Sequence, residues 1–268
     1  MTINIVMSCS YDSKLLEYWP IVSKMWKNYN FNPILGITNN FTEKQGLYLS
    51  SFGKVYFFPR IENIKNETQG KIIKYFICNE LNDNDIVIFL ELNLLVLNVN
   101  WLSEMIANLD DSKNNIIFTW PEFKSEYLMG KVHYFKSLFN LNNLSYTNWL
   151  EFLIHSQDTD EDKEGIVFSE DFSEKGFLYN SIVRQDGLVN IKLIPRNDIF
   201  FISDNSYLME KRTDWYHFKK LEIDSDYDIL GSISLLKNLD YFRNILEILG
   251  LYKISEVESK RFKDFFYN

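Results

Sequence analysis

The stretch Asp85-Ile86-Val87-Ile88-Phe89-Leu90, followed at once by Glu91-Leu92-Asn93, decides how this chain is read. A strand with one wet face alternates apolar and polar residues. Residues 86–90 are apolar without interruption, so they predict a strand covered on both faces. Working back toward the start, residues 3–8 form a similar short run that ends in Ser8-Cys9-Ser10, and residues 33–38 and 54–58 form two more. Helical spacing separates them. Leu15, Leu16, Trp19, Ile21, Val22, Met25 and Trp26 share one stripe, with Asp12 as a candidate N-cap and the Asn-rich residues 28–32 as the stop. Pro20 falls inside that stripe, so the helix either starts there or kinks there. Residues 66–81 place Ile72, Ile73, Phe76 and Ile77 on one helical face. A helix over 101–109 capped by Asn100 and a strand over 115–120 stopped by Pro121 follow.

Strand and helix therefore alternate through residue 120. The expectation is an α/β fold with a mostly parallel central sheet flanked by helices. In such sheets ligands bind outside the carboxyl ends of the strands, which points to residues 8–12, 38–40, 59–60 and 91–93. The second half is less regular. Residues 124–143 are mixed, 145–156 read as a helix, 158–164 as an acidic loop, and 168–180 as a segment opening a helix. A strand at 190–195, a loop at 224–228 and a strongly patterned terminal helix at 232–251 complete the reading. With no repeat and no Pro/Gly/Ser linker, the expectation is one domain over 1–268. Residues 1–120 would hold the regular alternation, and 121–268 would complete the site with the C-terminal helices.

Composition narrows the classes. Of 268 residues, 46% are hydrophobic and 24% charged, enough apolar side chain to offset chain entropy. The net charge is −9, which opposes any path along a phosphate backbone, so no nucleic-acid partner is expected. Cys9 and Cys78 are two thiols in apolar surroundings, not a disulfide framework. The N-terminal run is too short and lacks the basic flank of a secretory signal, and no stretch approaches the about 18 apolar residues of a membrane span. The expected location is cytoplasmic.

The order of these pieces resembles the GT-A fold of nucleotide-diphospho-sugar-dependent glycosyltransferases. Five places carry the likeness. Residues 5–10 match a first strand and nucleotide-facing loop. Residues 16–20 through 33–37 match the helix and second strand. Residues 85–97 match the strand that carries the family's Asp-x-Asp motif. Residues 169–178 match an acidic helix start on the acceptor side. Residues 212–215 with 223–226 match a late segment that often carries a further metal ligand.

The resemblance implies a transferase that moves a sugar from a nucleotide-diphospho-sugar donor to an unknown acceptor, assisted by a divalent cation. In the family two Asp residues hold that cation. Here the aligned tripeptide is Glu91-Leu92-Asn93, a degenerate form in which Asn93 supplies only a neutral oxygen. Glu91, Asn93 and Asp226 together are the implied metal set, with oxygen chemistry suited to Mn²⁺ or Mg²⁺. The structural alternative is that Glu91 and Asn93 merely end a strand in solvent. Asp171 and Glu174 are the implied catalytic carboxylates, one of which would take the acceptor hydroxyl's proton in an inverting reaction. The same spacing is also what a helix N-terminus prefers. Ser8, Ser10, Tyr11, Gln69, Lys74 and Arg212 are the implied donor contacts, with Tyr11 stacking on the base. For each, ordinary packing or surface charge is the competing account. The loss of the second Asp and the 16% aromatic content also fit a silent relative that acts as a binding or structural subunit, with a stable partner or self-association as a homo-oligomer.

Other chemistries fit less well. Asp158-x-Asp160-x-Asp162 has Lys163 where a calcium loop turns on Gly, and Ser169 where it needs a bidentate Glu. His133, His155 and His217 lack ligand spacing. No Gly-rich phosphate loop and no nucleophile elbow occurs.

Overall fold

In the computed structural model of the protein, the described residues are 1–11, 13–38, 41–62, 64–92, 94–96, 106–107, 109, 116–120, 127–141, 144–157, 191–195, 215–217, 246 and 250–266. Strand β1 (Ile3–Cys9) is an interior strand of the main sheet. It is followed by a 3₁₀ turn (Lys14–Tyr18) and helix α1 (Trp19–Asn28). Then come β2 (Asn32–Thr38), α2 (Glu43–Ser50), β3 (Lys54–Phe58), α3 (Asn66–Phe76) with a 3₁₀ turn over Ile77–Glu80, and β4 (Ile86–Phe89). Next are β5 (Leu94–Val96), β6 (Ile116–Trp120), β7 (Tyr127–Lys131), α4 (Val132–Leu138) and α5 (Tyr146–Gln157). The remainder is β8 (Ile191–Pro195), β9 (Trp215–His217) and α6 (Tyr252–Phe266).

Seven strands form one sheet in the order β3-β2-β1-β4-β7-β6-β8. β1 pairs in parallel with β2 from Asn4↔Asn32 to Cys9↔Ile37, and with β4 from Ile3↔Ile86 to Val6↔Phe89. β2 and β3 are parallel, as are β6 and β8. β7 alone runs against both its neighbours. The expected α/β class with a mostly parallel, helix-flanked sheet is therefore observed. A separate antiparallel pair, β5 with β9, brings Leu94 opposite His217.

Alternation along the strands divides the core. Ile5 and Met7 of β1, Leu35 and Ile37 of β2, and Ile86 and Ile88 of β4 face α1 and α6. Val6, Ile34, Val87 and Phe89 face α3, α4 and α5. Both faces are dry, which is why residues 86–90 read as an unbroken apolar run.

Pro20 begins a helix rather than kinking one. It sits in the first turn of α1, where the missing N–H costs nothing. Ser13 caps the preceding 3₁₀ turn, with Leu15 N donating to Ser13 Oγ at 3.2 Å, while Asp12 lies outside the described residues. Asn30 closes α1 in the left-handed region at φ 62°, as the Asn-rich stop predicts.

Several elements have no counterpart in the sequence reading. α2 is one. Thr42 and Gln45 form a reciprocal capping box at its start, and Thr-x-x-Gln was the available signal. β7 and the β5–β9 pair are others. The C-terminal pattern also lands differently. Of the expected helix over 232–251 only residues 246, 250 and 251 are described, whereas α6 occupies 252–266. No helix among the described residues is long and apolar enough to cross a membrane.

Candidate functional site

The carboxyl ends of β1 to β4 form one edge of the sheet. β1 ends at Cys9, and the chain turns through Ser10, where Ser13 N donates to Ser10 O at 3.0 Å. The N-terminal part of α3 packs directly on this turn. A Cβ at Gly70 would lie 2.2 Å from Ser10 N and 2.6 Å from Cys9 C. Only a residue without a side chain permits that approach, so Gly70 fixes how closely the helix backs the loop. Ser8 Oγ adds a bond to Lys71 O at 3.3 Å.

Tyr11 is held at its backbone and at its ring. Its N–H donates to Thr38 Oγ1 at 3.1 Å, and Thr38 Oγ1 donates to Asn66 Oδ1 at 3.0 Å. This relay ties the ends of β1 and β2 to the first residue of α3. The ring stands edge-on to Phe41, 4.7 Å between centroids at 77°. Thr38 lies in a strand end that the sheet rule points to. Asn66, Gly70 and Phe41 were missed. For Gly70 the signal was a lone Gly inside a helical pattern, which marks a close backbone approach.

Gln69 has a different role from the one expected. It is fully buried. Its Nε2 donates to Pro59 O and to Tyr146 Oη, each at 2.6 Å, and its Oε1 accepts from Ile61 N at 3.1 Å. Both amide protons are spent inside the protein. Gln69 thus ties the loop after β3 to α3 and α5, rather than presenting its amide to a nucleotide. Burial holds the Tyr146 phenol well above its usual range, and the Gln69 bond opposes this more weakly. Lys74, one turn further along α3, is also buried, with its ammonium 5.1 Å from the Tyr75 ring centroid. Lys71 is on the surface and pairs with Glu67 at 2.7 Å.

β4 delivers Glu91 to the same edge. Leu90 N donates to Val6 O at 3.0 Å, which extends the ladder one residue past the strand. Glu91 follows, half-buried, and Leu92 beside it is 1% exposed. The structure therefore brings Ser8, Ser10, Tyr11 and Glu91 to the carboxyl side of β1 and β4, and leaves Lys74 buried on the helix behind them. Asn93, Asp171, Glu174, Arg212 and Asp226 lie outside the described residues. Among the described residues no three of His, Cys, Asp and Glu gather as a metal cluster. Cys9 and Cys78 are buried, as expected, and burial pushes the Cys78 thiol up despite the opposing charge of Lys136.

No family model and no curated relative matches the chain. Solved structures overlap it at low identity. A cytidylyltransferase from Leptospira borgpetersenii serovar Hardjo-bovis is 12% identical with a TM-score of 0.45, over 90% of this chain and 96% of that one. The galactosyltransferase LgtC, in complex with donor and acceptor sugar analogues, is 10% identical with a TM-score of 0.45, over 81% and 86%. The glycosyltransferase GlyE of Streptococcus pneumoniae is 14% identical with a TM-score of 0.42, over 72% of this chain and 45% of that one. The activities named for those proteins belong to them. The α/β class of this chain stands on its own strand pairing.

Proposed function

We propose that this protein is a GT-A-type glycosyltransferase that takes a nucleotide-diphospho-sugar as donor. The observation that carries the reading is Glu91. It is a half-buried carboxylate placed immediately beyond a central parallel strand, on the edge where the β1 loop carries Ser10 and Tyr11. Open α/β sheets bind ligands beyond the carboxyl ends of their strands, which supports the reading.

In this reading Tyr11 offers its ring to the base, and Ser8 and Ser10 line the approach. Lys74 and Arg212 supply positive charge toward the diphosphate. Glu91, Asn93 and Asp226 would hold Mn²⁺ or Mg²⁺. Their donor atoms are two carboxylates and one amide oxygen, which suit a hard cation. Such a cation, when bound, would stabilise the departing nucleotide diphosphate. Asp171 or Glu174 takes the proton of the acceptor hydroxyl if the reaction inverts, or faces the donor sugar if it retains. Gln69 acts only by shaping the wall behind the site.

The test is calorimetric titration with UDP and GDP, each with and without Mn²⁺, followed by transfer assays with the sugar forms of whichever nucleotide binds. Cation-dependent binding that is lost in Glu91→Ala, together with loss of transfer in a variant that still folds, is the expected result. Full transfer by Glu91→Ala would refute it. Binding without turnover, together with a stable partner, would favour the silent relative, a reading favoured by Glu91-Leu92-Asn93 standing where the family has two Asp residues.

A further inference from the structure

The Tyr11 ring is backed by a chain of aromatic side chains that leads to the opposite end of the sequence. Phe41, between β2 and α2, meets the Tyr11 ring edge-on. Phe41 also contacts Phe57 of β3 at 5.5 Å and Phe266 of α6 at 6.2 Å, both edge-on. Phe266 is stacked on Phe262, 4.2 Å apart and 9° from parallel. Phe262 is buried under Tyr48 and the α1 face. The last turn of α6 is pinned in place, because Gln45 Nε2 donates to Phe265 O at 2.9 Å and the Tyr48 and Phe265 rings stack at 4.5 Å. The position of Phe266 therefore follows from how α6 sits on α2.

The two holds on Tyr11 differ in kind. The backbone bond to Thr38 belongs to the sheet edge and needs nothing from α6. The described aromatic support of the ring is Phe41 alone, and an edge-to-face contact constrains orientation as well as distance. We propose that Phe41 and Phe266 are positioning residues for Tyr11, through which the last turn of α6 sets the orientation of the ring that receives the donor's base. The proposal rests on the reading of Tyr11 as a base-stacking residue. It goes further by making nucleotide affinity depend on a helix from the far end of the sequence.

The experiment is a double-mutant cycle on the full chain, read by calorimetric titration with UDP and GDP. Phe266→Ala is expected to weaken the tighter nucleotide about fivefold, the scale of one aromatic contact. Phe266→Tyr should restore it. In a Tyr11→Ala background Phe266→Ala should change nothing further, because the ring it acts through is gone. An equal loss in both backgrounds would overturn the proposal, since that is the mark of general destabilisation. A second measurement needs no nucleotide. The ring proton shifts of Tyr11 in NMR spectra should move in Phe266→Ala, while the amide shifts of Ile5 and Val6 on β1 stay as in the parent. Unchanged Tyr11 ring shifts would overturn the coupling even if nucleotides bind. A parent chain that binds neither nucleotide, yet shows the ring-shift effect, would refute the donor reading while upholding the mechanical link.

Discussion

The two faces of the sheet reach the same edge by different means. On one face α3 follows β3 after a short loop and is pressed onto the β1 turn at Gly70. A single buried amide, Gln69, holds the loop, α3 and α5 together. On the other face α6 arrives from far along the sequence. Rings and polar ties seat it. Gln45 Nε2 holds Phe265 O, and Tyr48 Oη donates to Glu258 Oε2 at 3.1 Å, with Arg261 Nη1 3.2 Å from Glu258 Oε1. The first face is fixed by backbone proximity, which leaves no tolerance for added atoms. The second is fixed by side chains that can re-pack. Residues that set a backbone distance should therefore be far less replaceable than those that seat α6.

Four substitutions and one change of condition press on that contrast, from the largest effect to the smallest. Gln69→Leu would strand Pro59 O, Ile61 N and the Tyr146 hydroxyl without partners. It should cost roughly 3 kcal/mol or more in urea unfolding, given about 1–3 kcal/mol for each buried group left unmade. A loss under 1 kcal/mol would mean that the loop after β3 re-pairs on its own. Gly70→Ala forces the α3 backbone off Ser10. About 1–3 kcal/mol of destabilisation is expected, together with weaker nucleotide binding. Wild-type affinity in that variant would break the link between helix placement and the β1 loop. Tyr48→Phe removes one charge-assisted bond yet keeps the ring stack, so about 1.5 kcal/mol is expected.

Alkaline titration should separate the same two anchors. Burial raises the phenol of Tyr48, with Glu258 adding to the effect, and burial likewise raises that of Tyr146. The unfolded chain ionises its tyrosines near pH 10. Stability from these groups is fully present below that pH and is lost as pH rises toward the higher folded values. Tyr48→Phe should flatten part of that loss in thermal melts between about pH 9 and pH 11. At the small end, Lys71→Ala removes a surface pair with Glu67 and should shift stability by less than about 0.5 kcal/mol.

Strand order and the site differed in how far they could be read from residues. The apolar runs at residues 86–90 and 33–38 announced covered strands because both faces of the sheet are dry. Pro20 left a choice between a start and a kink, and the 3₁₀ turn before it decided for a start. β7 escaped because Tyr127-Leu128-Met129-Gly130-Lys131 is short, and its strand character comes from pairing with β4 and β6 rather than from local pattern. α6 escaped because Tyr252–Phe266 mixes charge through its length, and its apolar stripe is an aromatic one that acquires meaning only against α2. In the site, the edge was legible from the sheet rule. Gln69 was not, because nothing in Thr68-Gln69-Gly70 distinguishes an amide aimed at a ligand from one aimed at Pro59. That distinction is made by the neighbours that bury it.

The lock between Tyr48 and Glu258 spans 210 positions. During synthesis Tyr48 and Phe52 must therefore wait for the segment that covers them. At the usual pace of about 5–20 residues per second, this delay lasts roughly 10–40 s. Through that interval the emerging N-terminal half carries an open aromatic patch on α2, while its α3 face can already close on residues that lie nearby. The contact that seats α6 thus joins residues far apart in sequence, and it makes closure of the α2 surface a late event in assembly.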